Sequence, residues 1–169
     1  MRRAIVITAS DGVAAGARED ESGAAVAARL EGLGFHVDRR VVVDDRGRLE
    51  TALVEAATDH DLIVTTGGTG LTPRDVTPEA TRAVLDRDVP GLAEAMRAAG
   101  RSSTPLADLS RGLVGVRGRT LIVNVPGSPR GATESLAAIE AVLEHALDTI
   151  AGPYDHGARP VEAPGRKGS

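Results

Sequence analysis

The sequence predicts a single α/β domain, a doubly wound and mostly parallel sheet with helices on both faces. Three observations lead there. Short runs rich in β-branched residues alternate with longer stretches of helical periodicity. The runs at residues 4–7 and 62–64 are continuously apolar, as expected for strands covered on both sides. Clusters of Gly, Asp, Ser and Thr recur where those runs end, at the sheet edge on which open parallel sheets bind ligands. A length of 169 residues suits one core.

Taken in order, residues 3–8 read as a buried strand ended by Ser10, Asp11 and Gly12. Residues 22–33 read as a helix capped by Ser22, with Val26 and Leu30 on one face and glycines at its end. Residues 35–43 form the second strand, closed by Asp44 and Asp45, and residues 46–58 a helix with Leu49 and Leu53 turned inward. Residues 62–65 form a short third strand, followed by a glycine loop. Thr77, Pro78 and Glu79 then open a helix: Thr caps, Pro suits the first turn, and Glu complements the positive helix end. Residues 88–99 read as a helix entered through Pro90, and residues 110–116 and 120–125 as two strands around an Arg117-Gly118 turn. Residues 131–150 carry the strongest helical stripe, with Leu136, Ile139, Leu143, Leu147 and Ile150 on one face. The domain is expected to span residues 1–154, and the Pro- and Gly-rich residues 155–169 to form a flexible tail.

Composition excludes several functions. The formal net charge of −4 argues against general nucleic-acid or membrane-surface binding, which needs a basic excess. With Phe35 and Tyr154 as the only aromatics, stacking platforms for bases are lacking. There is no Cys, hence no thiolate nucleophile and no cysteine metal site. The lone lysine, Lys167, stands far from any glycine loop, which rules out a Walker-A site. No apolar run approaches membrane-spanning length, and a cytoplasmic protein is expected.

The strand ends carry the chemistry. They bring together Ser10 and Asp11, Asp44 and Asp45, the run Thr65-Thr66-Gly67-Gly68-Thr69-Gly70 with Arg74 and Asp75 beyond it, and Pro126-Gly127-Ser128. Glycines let backbone N–H groups approach an anion, and a helix start adds a positive dipole end. Aspartates beside phosphates serve as Mg²⁺ ligands, because that ion is held by one or two carboxylates plus substrate phosphates. The set suits nucleotidyl or phosphoryl transfer without a protein nucleophile. Each residue also has a plainer reading. Asp44 or Asp45 can cap the next helix, Asp11 can order its turn, Arg74 can lie at the surface or partner Asp75, and Ser128 can cap the long helix. The four histidines lie apart without ligand spacing and read as structural or surface residues.

The segment Thr65-Thr-Gly-Gly-Thr-Gly-Leu-Thr-Pro-Arg-Asp75-Val-Thr-Pro-Glu-Ala80 resembles the signature of the MogA/MoaB family of molybdenum-cofactor biosynthesis proteins. Ser10-Asp11, Asp20-Glu-Ser-Gly23, Asp44, Pro126-Gly-Ser-Pro129 and Gly152-Pro-Tyr154 resemble the accompanying family positions, so the likeness extends to about residue 154. The resemblance implies a doubly wound α/β fold, a homotrimer, and molybdopterin adenylyltransferase activity. In that reaction ATP and molybdopterin, with Mg²⁺, give adenylylated molybdopterin and pyrophosphate. It further implies that Asp75 and Asp44 are the catalytic and metal-binding carboxylates. The backbone of Gly67, Gly68, Thr69 and Gly70, with Thr66, Gly127 and Ser128, would hold pterin and phosphate, and Ser10, Asp11 and Arg74 complete the rim. One departure is Val43, where the family often has proline. Arg74-Asp75 and Thr77-Pro78, which some relatives lose, are present. The competing expectation is a non-catalytic pterin-binding or carrier protein.

Overall fold

In the computed structural model, residues 1–153 are described. The chain runs β1 (Arg3–Ala9), α1 (Asp11–Ala14), α2 (Glu21–Gly32), β2 (His36–Val42), α3 (Arg46–Ala56), β3 (Leu62–Thr66), α4 (Thr77–Val84), β4 (Arg87–Asp88) and α5 (Pro90–Arg101). A 3₁₀ turn (Pro105–Leu109), β5 (Val114–Arg117), β6 (Thr120–Val125) and α6 (Pro129–Ala151) complete it.

The six strands form one sheet in the order β2-β1-β3-β6-β5-β4. β2, β1, β3 and β6 are parallel, while β5 pairs antiparallel to β6 and β4 antiparallel to β5. The expected fold class is therefore what the chain adopts. The period of two explains why both faces bury. Ala4 and Val6 of β1, Leu62 and Val64 of β3, and Leu121 and Val123 of β6 point to the layer of α2, α5 and α6. Ile5, Ile7, Ile63 and Ile122 point the other way, onto α3 and α4. Ile7, Leu62, Ile63 and Ile122 are fully buried, each contributing roughly 1.5–3 kcal/mol of apolar burial. With so few aromatics, this core is aliphatic throughout.

The carboxyl ends of the central strands are polar and yet buried, because their hydroxyls have partners. The Asn124 amide donates to Thr65 Oγ1 at 2.9 Å and to Thr81 Oγ1 at 3.0 Å, and its Oδ1 accepts from Leu113 N at 3.0 Å. Ser22 and Thr66 hydroxyls meet at 2.7 Å. This layer ties β3, β6, α2 and α4 into one rigid rim.

Several local expectations change. Asp20, not Ser22, caps α2, accepting from Gly23 N at 2.9 Å, which frees Ser22 to point inward. Thr77 is the first residue of α4 rather than its cap; Val76 precedes it and no side chain caps the helix. Thr77 is fully buried and its hydroxyl has no partner among the described residues. α5 starts at Pro90, because residues 87–88 add a two-residue edge strand. β5 starts at Val114 rather than residue 110, since the Arg111 N–H is turned to the Thr69 carbonyl at 2.9 Å. The expected tail and Tyr154 lie outside the described residues.

Candidate active site

Four strand ends deliver the predicted residues to one rim, on which two hollows lie side by side. The larger, of about 600 Å³, is lined by Ser10, Arg18, Asp44, Thr66, Gly68 and Asp75 among others, and reaches Gly127 and Ser128. A second hollow, of about 280 Å³, opens beyond the glycine loop between α5, α6 and the 3₁₀ turn. Thr69 and Gly70 line it from the loop, and Met96, Leu106 and Leu109 make its walls less polar. Ser128 borders both.

The loop's glycines are dictated by space and by conformation. Gly67 and Gly68 have φ of +88° and +66°, a region L-residues with a side chain avoid. A Cβ on Gly67 would stand 2.5 Å from the Ala9 carbonyl oxygen, and one on Gly68 would strike the Thr77 hydroxyl. The loop therefore lies directly on the end of β1 and on the start of α4.

Each of the two key carboxylates has one oxygen fixed and one free. Asp44 Oδ2 accepts from the Asp11 N–H at 3.0 Å, and the Asp44 N–H donates back to Asp11 Oδ1 at 3.0 Å. Asp75 Oδ2 accepts from the N–H and the hydroxyl of Thr72, at 2.9 and 2.8 Å. The Oδ1 atoms of Asp44 and Asp75 have no hydrogen-bond partner among the described residues. No group of three His, Cys, Asp or Glu side chains able to hold a metal exists among the described residues. A cage built from protein alone is thus absent, whereas two carboxylates with free oxygens match the donor set that Mg²⁺ shares with phosphates.

The alternatives left open by the sequence now separate. Asp45 caps α3, accepting from Arg48 N at 2.9 Å, which leaves Asp44 for the cavity. Asp11 orders its turn through the exchange with Asp44. Arg74 pairs with Asp11, Nε to Oδ2 at 3.2 Å, and not with Asp75. Neither Asp11 nor Arg74 lines the larger hollow; they buttress Asp44 from outside. Ser128 caps α6, accepting from Gly131 N at 3.1 Å. His60 is held between the Ala56 carbonyl and Asp38, in keeping with a structural role.

Charge follows this arrangement. The Arg74 guanidinium, with the Asp44 N–H, holds the Asp11 carboxyl below its ordinary range. Asp44 is pushed up, chiefly by burial and further by the Asp11 and Asp75 charges, against the pull of the Asp11 N–H and Arg74. A carboxyl raised in the folded state contributes stability that is fully present below its unfolded pKa and lost as pH rises through the folded one. Asp44→Asn in metal-free buffer should therefore melt at or above the wild-type temperature at pH 7, with the gap closing as pH falls below about 4. Melting curves across that range check this; a gap that widens on acidification contradicts it.

One residue the sequence did not single out organises the loop. Arg111 donates through Nε to the Gly70 carbonyl at 2.8 Å and through Nη2 to the Asp75 carbonyl at 2.8 Å, and it ion-pairs with Glu79. That pairing keeps Glu79 below its ordinary pKa. Three side-chain anchors and one backbone bond from a single residue fix the segment that carries Asp75. The only signal for it was an Arg near the start of the expected strand 110–116, which nothing in a local pattern distinguishes from a surface residue.

Residues 5–145 match the family described as "Probable molybdopterin binding domain". The chain belongs to that family. The molybdopterin adenylyltransferase of Helicobacter pylori strain J99 is 39% identical over 156 residues, covering 88% of each chain. That of Escherichia coli K12 is 35% identical over 143 residues, covering 76% of this chain and 73% of its own. Among solved structures, the molybdopterin biosynthesis enzyme MoaB of Thermus thermophilus is similar at 50% identity and a TM-score of 0.85, covering 92% of this chain and all of its own. The Mog protein of Mycobacterium ulcerans is similar at 47% identity and 0.84, covering 89% of this chain and 99% of its own. In this member of the molybdopterin-binding family, the glycine loop, Asp44, Asp75 and the Ser128 turn lie on one sheet edge. Among the described residues, no helix is long and apolar enough to cross a membrane.

Proposed function

We propose that this protein is a molybdopterin adenylyltransferase, acting in molybdenum-cofactor biosynthesis. The observation that carries this reading is the pair of carboxylates, Asp44 and Asp75, each with one free oxygen, in a polar hollow that abuts a less polar one. The terminal phosphate of molybdopterin attacks the α-phosphorus of ATP, a new P–O bond forms, and pyrophosphate leaves. A Mg²⁺ ion on the free oxygens of Asp44 and Asp75 and on the nucleotide would supply charge neutralisation. The protein's own part is placement. The polar hollow takes the ATP phosphates, the second hollow takes the pterin, and the Ser128 turn brings the two reacting phosphates together. The backbone of residues 67–70 offers N–H groups to them, and Thr66, Ser10 and Gly127 line the phosphate path. Asp11 and Arg74 keep Asp44 in place. The reading includes a homotrimer in the cytoplasm, without nucleic-acid or membrane partners, as the family resemblance implies.

A non-catalytic pterin carrier would have no use for two poised carboxylates beside a phosphate loop. The test is release of pyrophosphate from ATP and Mg²⁺ with molybdopterin present. Stoichiometric release that requires all three is expected, and tight molybdopterin binding without any release would favour the carrier.

A further inference from the structure

Five carboxylates line the larger hollow, from Glu19, Asp20, Glu21, Asp44 and Asp75, and Arg18 is the one basic side chain among its lining residues. ATP brings several negative charges into that space. One divalent ion does not balance them together with the carboxylates already there, and the departing pyrophosphate carries away more charge than the product left behind. The hollow therefore needs a further cation where the β- and γ-phosphates lie.

Arg18 is built to be that cation. Its backbone N–H reaches the Gly12 carbonyl at 3.3 Å, and its side chain lies back across Gly12, where a Cβ would stand 2.8 Å from the guanidinium Nε. Nη2 donates to Ser10 Oγ at 3.0 Å. A guanidinium has five N–H donors, and this is the single side-chain bond it makes among the described residues. Nor does it pair with a carboxylate there. Asp20, two residues further on and facing the hollow, is already engaged by Gly23 N–H, the Thr8 hydroxyl and Arg39, the last at 2.8 Å. A guanidinium beside acids, paired with none of them, keeps its fork free for phosphate oxygens.

Position selects which phosphate. Along the rim the order is the end of β1 with Ser10 and Arg18, the end of β3 with the glycine loop, then the end of β6 with Ser128. The second hollow lies beyond β6, so the attacking phosphate arrives from the Ser128 side. In-line displacement sends the leaving group the opposite way, toward β1. There the bond from the α-phosphorus to the bridging oxygen breaks, its electron pair stays on pyrophosphate, and the growing charge meets Arg18.

We propose that Arg18 binds the β- and γ-phosphates of ATP and the pyrophosphate product, resting on the adenylyl-transfer reading above. Calorimetry on the full chain with pyrophosphate, ATP and AMP, each with Mg²⁺, tests it beside steady-state kinetics. Arg18→Ala is expected to weaken pyrophosphate and to raise the KM for ATP by about tenfold or more. AMP affinity and the KM for molybdopterin should stay within about twofold of wild type, because neither contains the phosphates in question. Arg18→Lys, which keeps the charge and loses the fork, should fall between. Arg18 is exposed, so folding is expected to survive, with circular dichroism as the check. Equal weakening of AMP and pyrophosphate would place Arg18 on the α-phosphate and overturn the proposal, as would a loss confined to molybdopterin. An active wild type with an unchanged Arg18→Ala variant defeats this inference alone, whereas a wild type without turnover defeats the transferase reading as well.

Discussion

Asp75→Asn is expected to lower turnover by roughly 10²–10³-fold, the usual scale for removing one preorganised electrostatic contact to a transition state, while its melting temperature stays within about 2 °C of wild type. The separation is clean for a geometric reason. The carboxylate's Oδ2 accepts both bonds from Thr72, and the amide oxygen of Asn accepts two bonds equally well. The loop closure between Thr72 and Asp75 survives, as do the Arg111 bonds, which go to the Asp75 main-chain carbonyl. What disappears is the charge and acceptor at Oδ1, the atom that faces no partner. Single-turnover formation of adenylylated molybdopterin, read beside a thermal melt, measures the two effects separately. Undiminished turnover would remove Asp75 from the reaction, and a large fall in melting temperature would show that its role is structural.

The fold and the rim were largely legible because they depend on local patterns. β-branched runs such as residues 3–8 become strands wherever they can be covered, and Asp44 and the glycine run stand just after such strands, with Asp75 at the far end of that loop. Topology then brings them together without any further signal. The parts that were not legible depend on contacts distant in sequence. Ser22 has the composition of a cap, yet a hydroxyl 44 residues away, on Thr66, turns it inward. Arg74 sits beside Asp75 in sequence but reaches Asp11, because the loop bends its side chain back toward β1. Arg111 gave no local sign of anchoring Gly70 and Asp75, 41 and 36 residues earlier. Arg18 is equally silent: its significance comes from the acids that share the hollow with it and from its pairing with none of them among the described residues. By residue type alone Asp44 and Asp45 stayed equivalent; the resemblance pointed to Asp44, and the helix that uses Asp45 as its cap gives the physical reason.

Gly67→Ala should cost the fold roughly 2–4 kcal/mol, from about 1–2 kcal/mol for a side chain at positive φ and the rest from steric strain of the kind that makes single substitutions severe. For a domain of this size that is a drop of roughly 5–15 °C in melting temperature. The steric part is backbone against backbone. The added Cβ would stand 2.5 Å from the Ala9 carbonyl oxygen, and no rotamer change relieves it. Ala9 is the last residue of β1 and is paired with Val42 in the parallel ladder, so relief requires moving the end of a central strand or lifting the loop from the sheet. Either shift displaces Ser10 or Gly68 from the rim, so activity is expected to fall further than stability alone accounts for. Gly16→Ala is the matched control. It too has positive φ, +73°, but nothing lies within 4 Å of its Cβ position, so only the conformational cost remains, about 1–2 kcal/mol. Melting curves of the two variants isolate the collision from the dihedral. If both lose the same amount, the loop does not rest on β1 as tightly as the structure has it, and the phosphate cradle has more freedom than this reading requires.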